Sequence, residues 1–283
     1  MQKVKDIRLF LKEHLGSQFP DSELRGFLNW ILEYVFDFST MDSLMKAEEL
    51  LKVQELEEVK RIVALLKQEI PIQQIVGYAW FYDTKFPISK NVLIPRPETE
   101  ELVDWILKDD VNNKSLLDIG TGSGCIPISI ALNSTATVSS LDVSELALVQ
   151  AKKNANLFKT DINFIHADIL NPATKNSLGK YHVIVSNPPY VLESDKQMMS
   201  ANVLDNEPHL ALFVSDVQAL IFYEAIAAIA AEKLINKGLL YFEIHELKAK
   251  ETVDLLKAKG FVDIEIRKDL QGKDRMVKAI WKS

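Results

Sequence analysis

Residues 116–124 read Leu116-Leu117-Asp118-Ile119-Gly120-Thr121-Gly122-Ser123-Gly124, an apolar run ending in three alternating glycines. The run predicts a buried strand, and a helix is expected over about 123–132. Glycines between a strand and a helix permit unusual backbone angles and let a ligand approach the main chain. Exposed N–H groups at a helix start suit polar or anionic groups. The spacing is not that of a dinucleotide site. Gly120 and Gly122 fit the start of G-x-G-x-x-G, but its last position falls on Cys125. No G-x-x-x-x-G-K-[ST] phosphate loop occurs in the chain.

Outward from this stretch the pattern alternates strand and helix. Strands are predicted near 115–119, 137–142, 162–166, 181–186, 239–244, 261–267 and 274–281, with helices over 216–236 and 247–259. Residues 192–215 read as a long irregular insertion. The last two strands are joined by the short stretch Asp269-Leu270-Gln271-Gly272-Lys273-Asp274. That connection predicts one antiparallel strand in an otherwise parallel sheet. The fold class is therefore α/β.

Three more features sit at the ends of successive strands, where an open α/β sheet binds its ligand. Asp142 closes the run Thr137-Val138-Ser139-Ser140-Leu141. A carboxylate there can accept from both hydroxyls of a ribose; it can also cap the helix starting near Glu145, a task Ser144 fits better. Asp168, in His166-Ala167-Asp168-Ile169, can accept from an exocyclic amino group or serve as a turn cap. Ser186-Asn187-Pro188-Pro189-Tyr190-Val191 follows the strand pattern Tyr181-His182-Val183-Ile184-Val185. Two prolines stiffen that loop and remove two N–H donors, and Asn187 is pushed extended by the proline after it. A stiff loop with a carboxamide and spare carbonyls can hold a planar –NH2 group by accepting both its hydrogens, while Tyr190 offers a flat face. The plainer alternative is a rigid turn.

The 283 residues suffice for one large or two modest domains, and 47% apolar content with 26% charged residues fits a packed core. Net charge is −7, with no basic face evident, which argues against a clamp on duplex nucleic acid. The single cysteine, Cys125, rules out an intrachain disulfide and reads as a small buried residue. The five histidines form no metal-ligand pattern. No signal-peptide or membrane-spanning pattern is present, so a cytoplasmic protein is expected.

Residues 1–70 read as a small helical bundle. Val4, Ile7, Leu11 and Leu15 share one face. Further patterns carry Leu24, Phe27, Leu28, Ile31 and Leu32, then 44–53, then 56–70 with Val59, Ile62, Val63 and Leu66 inward. Glu57 and Arg61 are placed to pair four residues apart. Such a bundle is either a packing module or a substrate-recognition domain. Residues 71–95 read as a β-hairpin linker, and 96–283 as the main domain. Between them lies Leu93-Ile94-Pro95-Arg96-Pro97-Glu98-Thr99-Glu100, a double-proline entry into a helix starting at Glu98 or Thr99.

The D-x-G-x-G-x-G of residues 118–124 resembles motif I of S-adenosylmethionine-dependent methyltransferases. Asn187-Pro188-Pro189-Tyr190 resembles their signature for methylating amino or amide nitrogen. With Pro71-x-x-x-Ile75-x-Gly77-x-x-x-Phe81 and the 93–100 stretch, nearly the whole chain resembles the peptide-chain release factor glutamine methyltransferase family, the PrmC/HemK type. The resemblance implies a seven-stranded Rossmann-like class I methyltransferase sheet, a helical N-terminal domain and a hairpin linker. It implies S-adenosyl-L-methionine as cofactor and class 1 peptide-chain release factors as partners, methylated on the glutamine nitrogen of a Gly-Gly-Gln motif. On that basis Asp118, Gly120, Thr121, Gly122, Ser123, Gly124, Asp142, Asp168, Ile169 and Asn187 are expected around the cofactor. Asn187, Pro188, Pro189 and Tyr190 are expected around the substrate amide, with Asn187, Pro188 and Tyr190 catalytic. Arg96 and Glu98 are candidates for the substrate rim, or form a helix-entry ion pair. Two departures from the family pattern are Ile169, where some relatives carry an aromatic, and Asn206-Glu207-Pro208 in place of Phe-Glu-Pro. Alternatives are an adenine-N6 methyltransferase, a ribosomal-protein glutamine methyltransferase, or a catalytically silent interaction protein. No direct nucleic-acid or membrane binding is expected.

Overall fold

A computed structural model describes residues 1–282 of the chain. They form two compact units: Met1–Gly77 with Ser200–Asn206, and Tyr78–Met199 with residues 207–282.

The first unit holds α1 (Asp6–Leu15), α2 (Asp21–Phe36), α3 (Thr40–Met45), α4 (Val53–Leu66) and α5 (Ile72–Val76). Its core joins the apolar faces of α1 and α4, where Ile7, Leu15, Val59 and Ile62 are fully buried. Burying each such side chain contributes about 1.5–3 kcal/mol before entropy is counted. Three expectations fail here. The 44–53 stretch is not a helix: α3 ends at Met45, and Leu44 is exposed. Arg61 pairs with Glu58, three residues away, rather than Glu57, with Nη2–Oε1 at 2.6 Å. Residues 72–76, expected in a β-linker, form α5, because Pro71 presets its start and Gly77 ends it in the left-handed region (φ +84°). Residues 200–206, part of α9 (Ala201–Asn206) and its entry, also pack in this unit. Gln74 Nε2 donates to the Asn206 carbonyl at 2.7 Å, and Asn206 Nδ2 donates to the Glu69 carbonyl at 3.3 Å.

The second unit opens with a hairpin, β1 (Tyr78–Phe81) and β2 (Thr84–Pro87). Its two-residue turn, Tyr82-Asp83, has both φ angles positive, as the twist of a tight hairpin requires. After α6 (Pro97–Lys108) come β3 (Ser115–Ile119), α7 (Cys125–Asn133), β4 (Thr137–Asp142), α8 (Glu145–Phe158), β5 (Ile162–His166) and β6 (Tyr181–Ser186). The insertion is not irregular. It carries β7 (Val191–Leu192), a 3-10 turn, α9, α10 (His209–Leu212) and β8 (Phe213–Val214), with β7 and β8 paired in parallel. Then follow α11 (Ile221–Lys233), β9 (Leu234–Glu243), α12 (Ala249–Ala258), β10 (Phe261–Lys268) and β11 (Asp274–Trp281).

Seven strands pair in the order β10-β11-β9-β6-β3-β4-β5. All are parallel except β11, which runs antiparallel to both its neighbours. The centre is apolar on both faces, with Val183, Ile184 and Val185 of β6 wholly buried, as a sheet covered on two sides demands. The chain runs outward from β3 through β4 to β5, then returns to place β6 on β3's other side. That reversal opens a crevice beyond the carboxyl ends of β3 and β6, the expected place for a ligand.

Candidate functional site

The crevice is a cleft of about 230 Å3, open to solvent, at the carboxyl ends of β3, β4, β5 and β6. Its floor is the glycine loop after β3. The N–H groups of Gly120 and Thr121 both donate to the Leu141 carbonyl, at 2.8 and 3.1 Å, tying the loop to β4. At Gly124 (φ +82°) a Cβ would lie 3.1 Å from both Ala151 and Ile128, so only glycine lets α7 start this close to α8. Asn154 of α8, buried, reinforces the loop by donating to the carbonyls of Ser123 (2.8 Å) and Pro87 (3.0 Å).

Gly120, Gly122, Asp142, Asp168, Ile169, Asn187, Pro188 and Pro189 line the cleft together. Asp142 Oδ2 accepts from the Gly122 N–H at 2.9 Å and Oδ1 from the Ser144 N–H at 2.8 Å. The Val143 N–H also approaches this carboxylate, which keeps acceptor capacity on the cleft side. Burial nevertheless raises the Asp142 pKa against those bonds. Ser144, not Asp142, caps α8 by accepting from the Ala147 N–H. Asp168 Oδ1 accepts from the Leu170 N–H at 2.9 Å, a turn cap that leaves its second oxygen for another donor. Ile169 is buried and forms part of the wall.

Asp118, Thr121, Ser123 and Gly124 lie behind the cleft lining rather than in it. Asp118 is fully buried beneath the loop, with the Ser140 hydroxyl 3.4 Å away. Burial, reinforced by the charge of Asp142, pushes its pKa up to about 7. Burial likewise raises the Cys125 thiol to about 12, so it stays protonated and unreactive.

On the β6 side, Asn187 Nδ2 donates to Thr99 Oγ1 at 3.2 Å, and Thr99 Oγ1 donates to Glu243 Oε2 at 2.6 Å. Tyr190 donates to the other oxygen of Glu243 at 2.9 Å. Glu243 ends β9 and is 1% exposed; burial raises its pKa, while Thr99 and Tyr190 hold it down. The Asn187 Oδ1 and the Pro188 carbonyl accept no hydrogen bond among the described residues. Arg96 and Glu98 do not pair with each other. Arg96 Nη2 donates to Glu207 Oε1 at 2.6 Å, and Glu98 accepts from Gln271. Glu207 is buried, and its other oxygen takes the Ile94 N–H at 3.0 Å, so one carboxylate joins the 91–96 loop to the insertion, and both segments contribute to the cleft lining. Thr99, Glu207 and Glu243 were given no site role by the sequence, although Thr99 and Glu207 stand in stretches that carry the resemblance. Glu243 carried a signal of its own: an acid closing the apolar run Leu239-Leu240-Tyr241-Phe242 at a strand's carboxyl end. Among the described residues no group of three His, Cys, Asp or Glu is placed to hold a metal, and no helix is long and apolar enough to cross a membrane.

An open sheet of this order, with a glycine loop after its first strand and an acid ending the next, defines a class I methyltransferase. Residues 98–212 match the family model "Methyltransferase small domain", and residues 4–77 match "PrmC N-terminal domain". A solved methyltransferase from Pyrococcus furiosus shares the fold at TM-score 0.55, with 13% identity over 82% of this chain and 100% of that one. The release factor glutamine methyltransferase of Flavobacterium psychrophilum is 42% identical over 97% of this chain and 98% of its own length. That of Bacteroides thetaiotaomicron is 39% identical over 96% and 98%. The chain belongs to the release factor glutamine methyltransferase family.

Proposed function

We propose that this protein methylates the side-chain nitrogen of the glutamine in the Gly-Gly-Gln motif of class 1 peptide-chain release factors, with S-adenosylmethionine as methyl donor. One observation carries the reading: two unoccupied acceptors, Asn187 Oδ1 and the Pro188 carbonyl, stand on a diproline loop beside a cleft suited to an adenosyl group. That suitability rests on the donor set. Asp142 lines the cleft as a carboxylate acceptor for a vicinal diol. Asp168 offers an acceptor at the rim for an amino group, and Ile169 gives an apolar wall for a flat base. Gly120 and Gly122 bring the backbone to the cleft, and a Cβ on Gly122 would project into open space. Asp118 acts from behind, beneath the loop.

The bound donor supplies an electrophilic methyl on a sulfonium, whose C–S bond breaks as the N–C bond forms. The chain's own work is alignment. An amide nitrogen is a poor nucleophile because its lone pair is delocalised into the carbonyl. Asn187 and Pro188, accepting its two hydrogens, aim that nitrogen and stabilise the positive charge that develops on it. Pro189 packs against the amide plane, while Tyr190, outside the cleft lining, holds the loop through Glu243. One hydrogen leaves as a proton to water after transfer. The helical domain is assigned to recognition of the protein substrate, which places the enzyme with the translation machinery. The net charge of −7 weighs against a nucleic-acid substrate.

Incubation of the enzyme with donor and a class 1 release factor, followed by mass spectrometry, tests this reading. A gain of one methyl group on the Gly-Gly-Gln glutamine is expected. Methyl transfer to DNA, RNA or a ribosomal protein instead would overturn it.

A further inference from the structure

We propose that Thr99 and Glu243 are positioning residues that fix which end of the Asn187 carboxamide faces the reacting nitrogen. The inference rests on the function proposed above and goes beyond it, because neither residue lines the cleft.

The argument is one of hydrogen-bond polarity. A carboxamide has an accepting end and a donating end of nearly the same shape, so packing alone barely distinguishes its two orientations. Only one of them works here. A substrate –NH2 group needs acceptors, and a flipped Asn187 would meet it with hydrogens of its own. An ionised carboxylate can only accept. Thr99 has one hydroxyl hydrogen, and at 2.6 Å from Glu243 Oε2 that hydrogen is committed to the carboxylate. The Thr99 oxygen then offers only lone pairs to Asn187, 3.2 Å away. Nδ2 must therefore turn toward Thr99, and Oδ1 is left on the cleft side. Thr99 is 3% exposed and Glu243 1%, so water does not compete for these bonds.

The second oxygen of Glu243 accepts from Tyr190. One carboxylate thus orients both side chains of the diproline loop. Burial works against its ionisation; Thr99, Tyr190 and the nearby Arg275 guanidinium favour it. Arg275 is itself held by Asp269, at 3.1 Å. The pieces come from three separate elements: Thr99 from the first turn of α6, Glu243 from the end of β9, and Asn187 from the loop after β6.

Two nearly isosteric variants break the polarity without opening a cavity. Thr99→Val removes the hydroxyl. Glu243→Gln places an amide where only an acceptor fits; if its Nε2 faces Thr99, the Thr99 hydrogen is freed to donate to Asn187 Oδ1 and the carboxamide turns over. Thr99→Ser keeps the hydroxyl and is the rescue. The measurements are turnover on a release factor at saturating donor, donor affinity by calorimetry, and melting temperature. Thr99→Val is expected to lower kcat by about 10-fold or more, the scale on which misplaced electrostatic contacts act, and Glu243→Gln to do so where its Nε2 faces Thr99. Donor affinity should stay within about 2-fold, and Thr99→Ser should recover at least about half of the wild-type kcat, if the hydroxyl rather than its methyl matters. The relay is overturned if Thr99→Val keeps wild-type kcat. It is equally overturned if Thr99→Ser falls as far as Thr99→Val, which would make Thr99 a packing residue. Wild-type protein that methylates no release factor refutes the function instead, so the two failures are distinguishable.

Discussion

The two walls of the cleft are held in different ways. On the β4–β5 side, each acid is tied by backbone N–H groups, none more than twenty residues away: Asp142 by Ser144 and Gly122, two and twenty residues away, and Asp168 by Leu170, two residues away. On the β6 side, Asn187 and Tyr190 are held by side chains 88 and 53 residues distant. The backbone-tied wall leaves carboxylate oxygens partly free, as suits a polar ligand that comes and goes. The side-chain-tied wall commits one end of each group so that the other end points one way. Binding needs acceptors; alignment needs acceptors of fixed direction.

Deleting a group from each wall should therefore fail differently. Asn187→Ala removes a contact made to charge that develops during transfer. It is expected to lower turnover by about 100-fold, the usual cost of losing such a donor or acceptor, with donor affinity nearly intact. Single-turnover kinetics beside calorimetry would show this split, and undiminished turnover would remove Asn187 from the mechanism. Asp142→Ala should do the reverse. Losing hydrogen bonds to an ionised group costs about 1.5–3 kcal/mol, which is roughly 10- to 150-fold in donor affinity. Turnover at saturating donor should suffer much less. Equal affinity would sink the assignment of Asp142 to the ribose.

Tyr190→Phe tests the distant tie directly and should act more weakly. The ring stays, but Glu243 Oε1 loses its donor while remaining buried. A fall in turnover of about 3- to 10-fold is expected, less than the full cost of a hydrogen bond to a charged group because the lost bond reaches the reacting nitrogen only through Glu243. If kcat is unchanged while the melting temperature drops, the bond serves the fold and the contrast between the two walls weakens.

The same division explains what could be read in advance. Strand ends, the glycine loop, Asp142, Asp168 and the diproline loop all declare themselves within a few residues of sequence, through periodicity and turn chemistry. The seven strands of the sheet were legible for that reason, and so was the single antiparallel strand, from the short connection around Gly272. Glu207 and Thr99 were illegible because their meaning lies in partners 111 and 144 residues away. Arg96 invited pairing with Glu98, two residues along. On the first turn of α6 those side chains diverge, and Glu207 takes the guanidinium instead. The 44–53 stretch misled for the opposite reason: its apolar residues have helical spacing but nothing to bury them, and Leu44 and Leu50 stand more than two-thirds exposed.

The smallest expected effect separates the two buried carboxylates themselves. Glu243 has two hydroxyl donors at 2.6 and 2.9 Å and a guanidinium nearby, whereas Asp118 has only the Thr121 and Ser140 hydroxyls, the latter at 3.4 Å, and the like charge of Asp142. Asp118 titrates near 7 in the folded protein against 3.8 as a free side chain. Between those values the folded state holds a proton that the unfolded state has released, so this group's contribution to stability falls as pH rises from about 4 to about 7 and is level above. Asp118→Asn cannot titrate and abolishes that slope. The melting temperature of the variant minus that of the wild type, both without donor, should rise by roughly a few degrees between pH 5 and pH 8. Taking the difference cancels every other titrating group and any fixed cost of the amide. A difference that stays constant across that range would mean Asp118 is ionised throughout, and that the space beneath the glycine loop is better solvated than its complete burial implies.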